Sequence, residues 1–291
     1  MHERSIVSAL AAAASLAACF AASPAAALNA VSYVSGKGAD AGVCATPASA
    51  CRTFAYALTQ TKAAGEIKAI DAANYGAAAA GLVINKSITI TGVPGAGVDM
   101  TALDTAIKVS AGGIGVVTLR NLEINGQGVA PNGIFVQSAK RVYISDVTVR
   151  NFTGDGIALG NNGGNAAVTI ADSTVTNNGF IGVRIEPPGG ASLRVNIEHV
   201  TSNDNGHSGF LSSSTAKTTI VDSIAEGNLV DGFRLEGNAT GLMILSRSVA
   251  TANGGGIRNV SAGGVVRSYG DNRVNANTTD TAGTIVLVTP Q

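Results

Sequence analysis

Six Gly-apolar pairs, Gly133-Ile134, Gly156-Ile157, Gly182-Val183, Gly209-Phe210, Gly232-Phe233 and Gly256-Ile257, recur at intervals of 23, 26, 27, 23 and 24 residues. A second register keeps step with them: Asn178, Asn205, Asn228, Asn253 and Asn277, spaced 27, 23, 25 and 24. Two residue types sharing one loose period describe one structural unit stacked repeatedly, which is the sequence pattern of a solenoid rather than of a globular domain. The 291 residues are 45% hydrophobic but only 4% aromatic, with no Trp and 37 Gly. Small and β-branched side chains of this kind fill a thin interior and suit strands better than a helical bundle.

Each unit reads as three short strands. In residues 156–178, Gly156-Ile157-Ala158-Leu159 alternates, a Gly/Asn loop follows over 161–165, Val168-Thr169-Ile170 alternates again, and Thr174-Val175-Thr176 leads into Asn177-Asn178. Units this short cannot bury their apolar faces alone, so they wind into coils and stack at about 4.8 Å, the spacing of a parallel sheet. The expected architecture is all-β, a single-stranded parallel β-helix. An Asn at a fixed turn position fits it, because that side chain tolerates a left-handed backbone and bonds to the turn of the next coil. Cys51 to Ala64 reads as a helix, with Phe54, Ala57, Leu58 and Thr61 at helical spacing and Gly65 just beyond, and it is expected to cap the first coil. Thr284 to Val288 is expected as a last strand covering the other end.

The first residues have the form of an export signal: a charged start at His2 and Arg4, an apolar run from Ile6 to Ala22, and a small-residue cleavage site at Ala25-Ala26-Ala27. Leu16-Ala17-Ala18-Cys19 offers a competing reading, a lipoprotein box in which Cys19 is acylated. No later stretch is apolar enough to span a membrane. The expected organisation is a signal peptide over 1–27, a segment with a disulfide loop and helix over 28–65, the β-helix over 66–280, and a strand and tail over 281–291. Cys44 and Cys51 are the two cysteines left after cleavage, and in an exported chain so close a pair is most simply a disulfide. Cleavage removes one acid and one base, leaving 18 of each. The missing net charge argues against nucleic acid as a partner.

The chain resembles the right-handed parallel β-helix proteins of the pectate lyase superfamily. It is most similar to exported bacterial members that open with Tyr33-Val34-Ser35-Gly36, Cys44, Cys51-Arg52-Thr53-Phe54, Gly65-Glu66-Ile67 and Ile84-Asn85-Lys86-Ser87-Ile88-Thr89-Ile90. That resemblance implies right-handed winding. It also implies that any active surface lies on the outward face of the sheet containing the Gly-apolar strands.

Reading that face down the coils gives Phe135 and Gln137, Arg184 and Glu186, Leu211 and Ser213, Arg234 and Glu236, then Arg258, with Asp155 and Asp231 just before their glycines. The polygalacturonase pattern is broken here: there is no acid pair, Ser208 follows Gly206-His207, and Glu stands where that pattern has Lys. Asp155 and Asp231 fall three rungs apart, about 14 Å, beyond the roughly 6.5 to 9.5 Å that inverting glycosidases use. Glu186 and Glu236 are two rungs apart, about 9.6 Å, at the edge of that window, but the neighbouring arginines favour their charged forms.

A lyase reading takes Arg184 or Arg234 as base and Asp155, Asp231, Glu186 or Glu236 as calcium ligands, yet no compact acidic group is visible. The Arg/Glu face reads first as a ladder of ion pairs on a solvated surface. Arg258, Phe135, Asp155 and Asp231 are the candidate ligand contacts. A separate turn column carries Asn121, Asp146, Asp172, His199, Asp222, Arg247 and Asp271, in which a metal or an Asp-His bond is geometrically possible around His199. The aromatic rings available for stacking on a sugar are Phe135, Phe152 and Phe180.

Two function classes follow. The first is a non-catalytic exported scaffold without cofactor that contacts a polysaccharide or a cell-surface component through the Arg/Glu face. The second is a polysaccharide lyase or epimerase acting on an acidic polysaccharide, which alone would call for calcium. Both place the protein in the periplasm or outside the cell.

Overall fold

The structure is a computed structural model that describes residues 28–76, 80–160, 164–188, 191–213, 215–237 and 240–289. The expected signal peptide and Cys19 lie outside the described residues. Every ladder among the named strands is parallel, and the strands fall into two sheets of 15 and 9 strands among the described residues. Apolar residues stack in columns that repeat from coil to coil. Ile134, Ile157, Val183, Phe210, Phe233 and Ile257 pair in succession down the smaller sheet, all buried. The rings of Phe210 and Phe233 stack with centroids 5.2 Å apart and planes 8° apart. In-register stacking thus turns a sequence repeat into one continuous core.

The coil has fewer separate strands than the three expected. In the middle coils the second and third strands run together as one, in Val116–Asn125, Arg141–Arg150, Ala166–Thr176 and Leu193–Asn203, and they separate only later, as in Lys217–Val221 and Ile224–Glu226. The bend within each is a single left-handed residue. Asn121, Asp146, Asp172, His199, Asp222 and Arg247 hold φ between 45° and 54°, a region that Asn and Asp adopt at least cost among side-chain-bearing residues. The following position secures the bend. Ser173 Oγ accepts the Val147 N–H at 3.2 Å, Ser223 Oγ accepts the Val200 N–H at 3.2 Å, and Ser248 Oγ accepts the Ser223 N–H at 3.3 Å, each from the preceding coil.

The second turn carries the asparagine register, and it is a buried ladder. Asn178 Nδ2 donates to Asn205 Oδ1 at 3.0 Å, Asn205 to Asn228 at 2.9 Å, Asn228 to Asn253 at 2.9 Å and Asn253 to Asn277 at 3.0 Å. The same oxygens accept the backbone N–H of the preceding asparagine at 2.9 to 3.1 Å. The second amide hydrogens of Asn228, Asn253 and Asn277 go to the carbonyls of Ser202, Ala225 and Ala250. Phe152 closes one end through its N–H to Asn178 Oδ1, and Asp280 closes the other by accepting from Asn277.

The glycine register is the far side of this contact. A Cβ on Gly156, Gly182, Gly209, Gly232 or Gly256 would lie 2.8 to 3.0 Å from the Nδ2 of Asn178, Asn205, Asn228, Asn253 or Asn277. Only glycine admits the amide there.

At the amino-terminal end, helix α1 spans Phe54–Gln60 rather than the expected Cys51 to Ala64. Cys51 is already bridged to Val34, and Thr53 caps the helix by accepting the Tyr56 N–H at 3.1 Å. Beyond Gln60 the chain passes into the strand Thr61–Ala69. Thr61 Oγ1 is buried, donating to the Ala57 carbonyl at 2.7 Å, and Ala64 takes a left-handed φ of 60°. Pairing of Gly65 to Lys68 with Ile88 to Thr91 outweighs local helix preference here. Phe54, Ala57 and Leu58 are the buried helix face, and Lys86 Nζ donates to the carbonyls of Leu58, at 2.7 Å, and Thr61. Cys44 and Cys51 form a disulfide with Cα atoms 5.2 Å apart. The last strand, Ile285–Leu287, adds a further parallel rung beside Val265–Ser268 instead of lying across the end. No helix among the described residues is long and apolar enough to cross a membrane.

Replacing a ladder amide strands two donors of the preceding asparagine, its backbone N–H and its side-chain amide, each worth about 1 to 3 kcal/mol. Asn205→Ala is therefore expected to lose at least about 2 kcal/mol in urea denaturation, and a loss under about 0.5 kcal/mol would contradict the ladder's role.

Candidate functional site

Strand alternation sends Arg184, Leu211, Arg234 and Arg258 outward from the smaller sheet in adjacent, paired positions. Glu186, Ser213 and Glu236 form the neighbouring column, since Ile185 pairs with Ser212 and Ser213 with Glu236. The charged groups meet as expected, but within coils more than between them. Arg184 Nε lies 2.8 Å from Asp155 Oδ2 and its Nη1 lies 3.2 Å from Glu186 Oε2. Arg234 instead takes its aspartate from its own strand, Asp231 at 2.8 Å, and meets Glu236 at 2.6 Å. Arg258 Nε sits 2.8 Å from Asp231 Oδ1, an ion-pair contact whose angle does not make a hydrogen bond.

The expectation of a solvated ladder needs correction at its acids. The side chain of Asp155 is 4% exposed and that of Asp231 is 0% exposed. The first carboxylate meets backbone as well: Asp155 Oδ1 accepts the Ile181 N–H at 3.2 Å. Burial of a charge requires a close partner, and the two arginines meet that need. Burial raises the Asp155 carboxyl above the ordinary carboxylate range, against the lowering influence of Arg184 and the Ile181 N–H. For Arg234, burial works downward, but hydrogen bonds to Asp231 and Glu236 outweigh it and the net direction is up.

The remaining candidates divide. Phe135 is two rungs from Arg184, with Ala158 between them, and its ring covers Gly160. His207, which the sequence offers only as part of a broken motif, belongs beside the charged face: burial lowers its pKa, the Arg234 charge lowers it further, and Glu236 and Asp231 act oppositely. Ser213 lies on the face where the sequence places it. Its hydroxyl is buried between Glu186 and Glu236 without a hydrogen-bond partner.

A sequence model described as the right handed beta helix region matches residues 82–279. The chain belongs to the right-handed β-helix family. Among solved structures, the crystal structure of pectate lyase Pel9A superposes on this β-helix with a TM-score of 0.60 at 15% identity, covering 89% of this chain and 77% of that one. At that identity the likeness speaks to fold. No curated protein matches the chain in sequence.

Calcium does not fit the acids of this β-helix as they stand. A Ca²⁺ ion takes six to eight oxygens, whereas Asp155, Glu186, Asp231 and Glu236 are each held by a guanidinium. The His199 column is aligned as expected, and donor atoms of Glu198, His199 and Asp222 lie within 4.8 Å of one another. Arg247 grips both oxygens of Asp222 at 2.8 and 2.7 Å, however, and its hydrogen bonds lower the Asp222 pKa. Asp172 and His199 approach at 3.5 Å on open surface. Such exposed pairs contribute little.

Asp155 supplies a pH test. The folded protein keeps this proton to higher pH than the unfolded chain does, so the group lowers stability as pH rises from the unfolded carboxylate pKa through the folded one. Asp155→Asn removes that titration. Paired thermal melts are expected to show the wild type losing ground to the variant as pH rises through this window, and a pH-independent difference would contradict the assignment.

Proposed function

We propose that this β-helix is an exported, non-catalytic scaffold that contacts glycans or surface partners through its Arg/Glu face. What carries the reading is the pairing of Arg184 with Asp155 and Glu186, and of Arg234 with Asp231 and Glu236. An arginine acting as base must first lose its proton, and paired carboxylates oppose that loss. Acids engaged in the same pairs are poor calcium ligands. What remains is a strip with a column of Arg184, Arg234 and Arg258 beside a column of Glu186 and Glu236, suited to contacts with hydroxyl and carboxylate groups of a polymer. Helix α1, anchored by Phe54, Ala57, Leu58 and Lys86, serves as the cap that protects the first coil from edge-to-edge association. Export agrees with the Cys44–Cys51 disulfide, a bond favoured in oxidising compartments.

One observation favours the second reading, a lyase or epimerase on an acidic polysaccharide. Asp155 is buried with a raised pKa, a property shared with general acids. The two readings separate in one experiment. The protein is incubated with polygalacturonate and with alginate, with and without added calcium, and unsaturated product is followed by ultraviolet absorbance. The scaffold reading predicts no product under any condition, together with retardation in native gels cast with polygalacturonate that is lost in the Arg184→Ala, Arg234→Ala double variant. Product formation abolished by Arg234→Ala would replace it with the enzyme.

A further inference from the structure

The turn that holds the buried asparagine ladder has an outer side, and it forms a groove of about 630 Å³. Asn151, Asn177 and Asp204 occupy the left-handed position of three successive coils, at φ of 60°, 54° and 55°, one residue before the ladder positions Phe152, Asn178 and Asn205. The left-handed backbone turns one side chain of each consecutive pair inward to the ladder and the other out into the groove. Asn125 extends this outer row by a further coil: Asn151 Nδ2 donates to Asn125 Oδ1 at 3.0 Å and Asn177 Nδ2 to Asn151 Oδ1 at 2.6 Å. Gly179 and Gly206 line the same groove, leaving its wall without side chains.

The chemistry of this lining is narrow. It offers primary amides with donor and acceptor on each group, one carboxylate in Asp204, and no basic side chain among the described lining residues. An acidic polymer would find no cation there and one repelling charge. A peptide would find no open apolar pocket, since the one ring in the lining, Phe152, is buried. The residues directly after Gly179 and Gly206 are Phe180 and His207, whose rings meet at a 50° tilt with centroids 4.8 Å apart, Phe180 being exposed. Amides and a carboxylate for hydroxyl groups, next to a ring for the C–H face of a pyranose, make a combination that recognises an uncharged sugar.

The geometry points to this groove as a binding site for a neutral polysaccharide chain lying along the solenoid axis, around the corner from the Arg/Glu face. The inference shares with the proposed function only the class of ligand, a glycan. It is independent of whether the charged face binds anything.

Affinity electrophoresis in native gels cast with β-glucan, galactan, xylan or mannan tests it, with polygalacturonate gels run beside them. At least one neutral polymer is expected to retard the protein. In Asn151→Gly, Asn177→Gly, which keeps the left-handed backbone while deleting two amides, the affinity is expected to fall by about tenfold or more. Phe180→Ala, a change at an exposed ring, provides a second variant independent of the turn and is expected to weaken the same retardation. Arg184→Ala, Arg234→Ala should leave it unchanged, so a failure of the charged face appears only in the polygalacturonate gels. Retardation by none of the four neutral polymers, or retardation that survives both the glycine pair and Phe180→Ala, would overturn the site.

Discussion

The hydrogen bonds between Asn178, Asn205, Asn228, Asn253 and Asn277 are what the rest of this structure depends on. A solenoid coil must turn sharply with its backbone groups buried, and each such group must find a partner. One amide per coil answers several of these needs at once, accepting a backbone N–H and an amide N–H while donating to the next oxygen. The cost is space. Gly156, Gly182, Gly209, Gly232 and Gly256 supply it, since any Cβ there would collide with the ladder amide. The strand after each glycine is then fixed in register with its neighbours, which sets the columns of Phe210 and Phe233 inside and of Arg184 and Arg234 outside. Fold, core and candidate site are consequences of one repeated contact.

This contact is also why the architecture was legible in the sequence. Glycine and asparagine kept the same period because each is required by the other. The outward positions of Arg184, Glu186, Arg234 and Glu236 followed from strand alternation alone. Other features depend on surroundings that no local pattern records. Residues 61–64 are compatible with a helix, and only strand pairing shows that the chain has already turned. The fusion of two strands across Asp146 or Asp172 depends on a left-handed residue that bends the sheet without breaking it. Burial of Asp155 and Asp231 was hidden because the position before a turn glycine has no fixed face in sequence. For Asn177-Asn178, two identical residues have opposite roles, and only coordinates tell the ladder from the groove.

On the charged face, acids and arginines hold one another in pairs. The acids that would hold a metal are closed by arginines, and arginines that would take a proton are held charged by acids. Arg184 compensates the buried carboxylate of Asp155, and Arg234 and Arg258 compensate that of Asp231. Ionic pairing on this surface is therefore part of the structure, and it leaves an outer strip of mixed charge.

Hydrogen exchange at the ladder tests the central claim most directly. The backbone amides of Asn178, Asn205 and Asn228 donate to buried carboxamide oxygens although they belong to turns. Measured residue by residue, they are expected to exchange as slowly as the core amides of Val183 and Phe210, through global unfolding alone. Exchange at the rate of an open surface turn would mean that the asparagines do not hold the coils together.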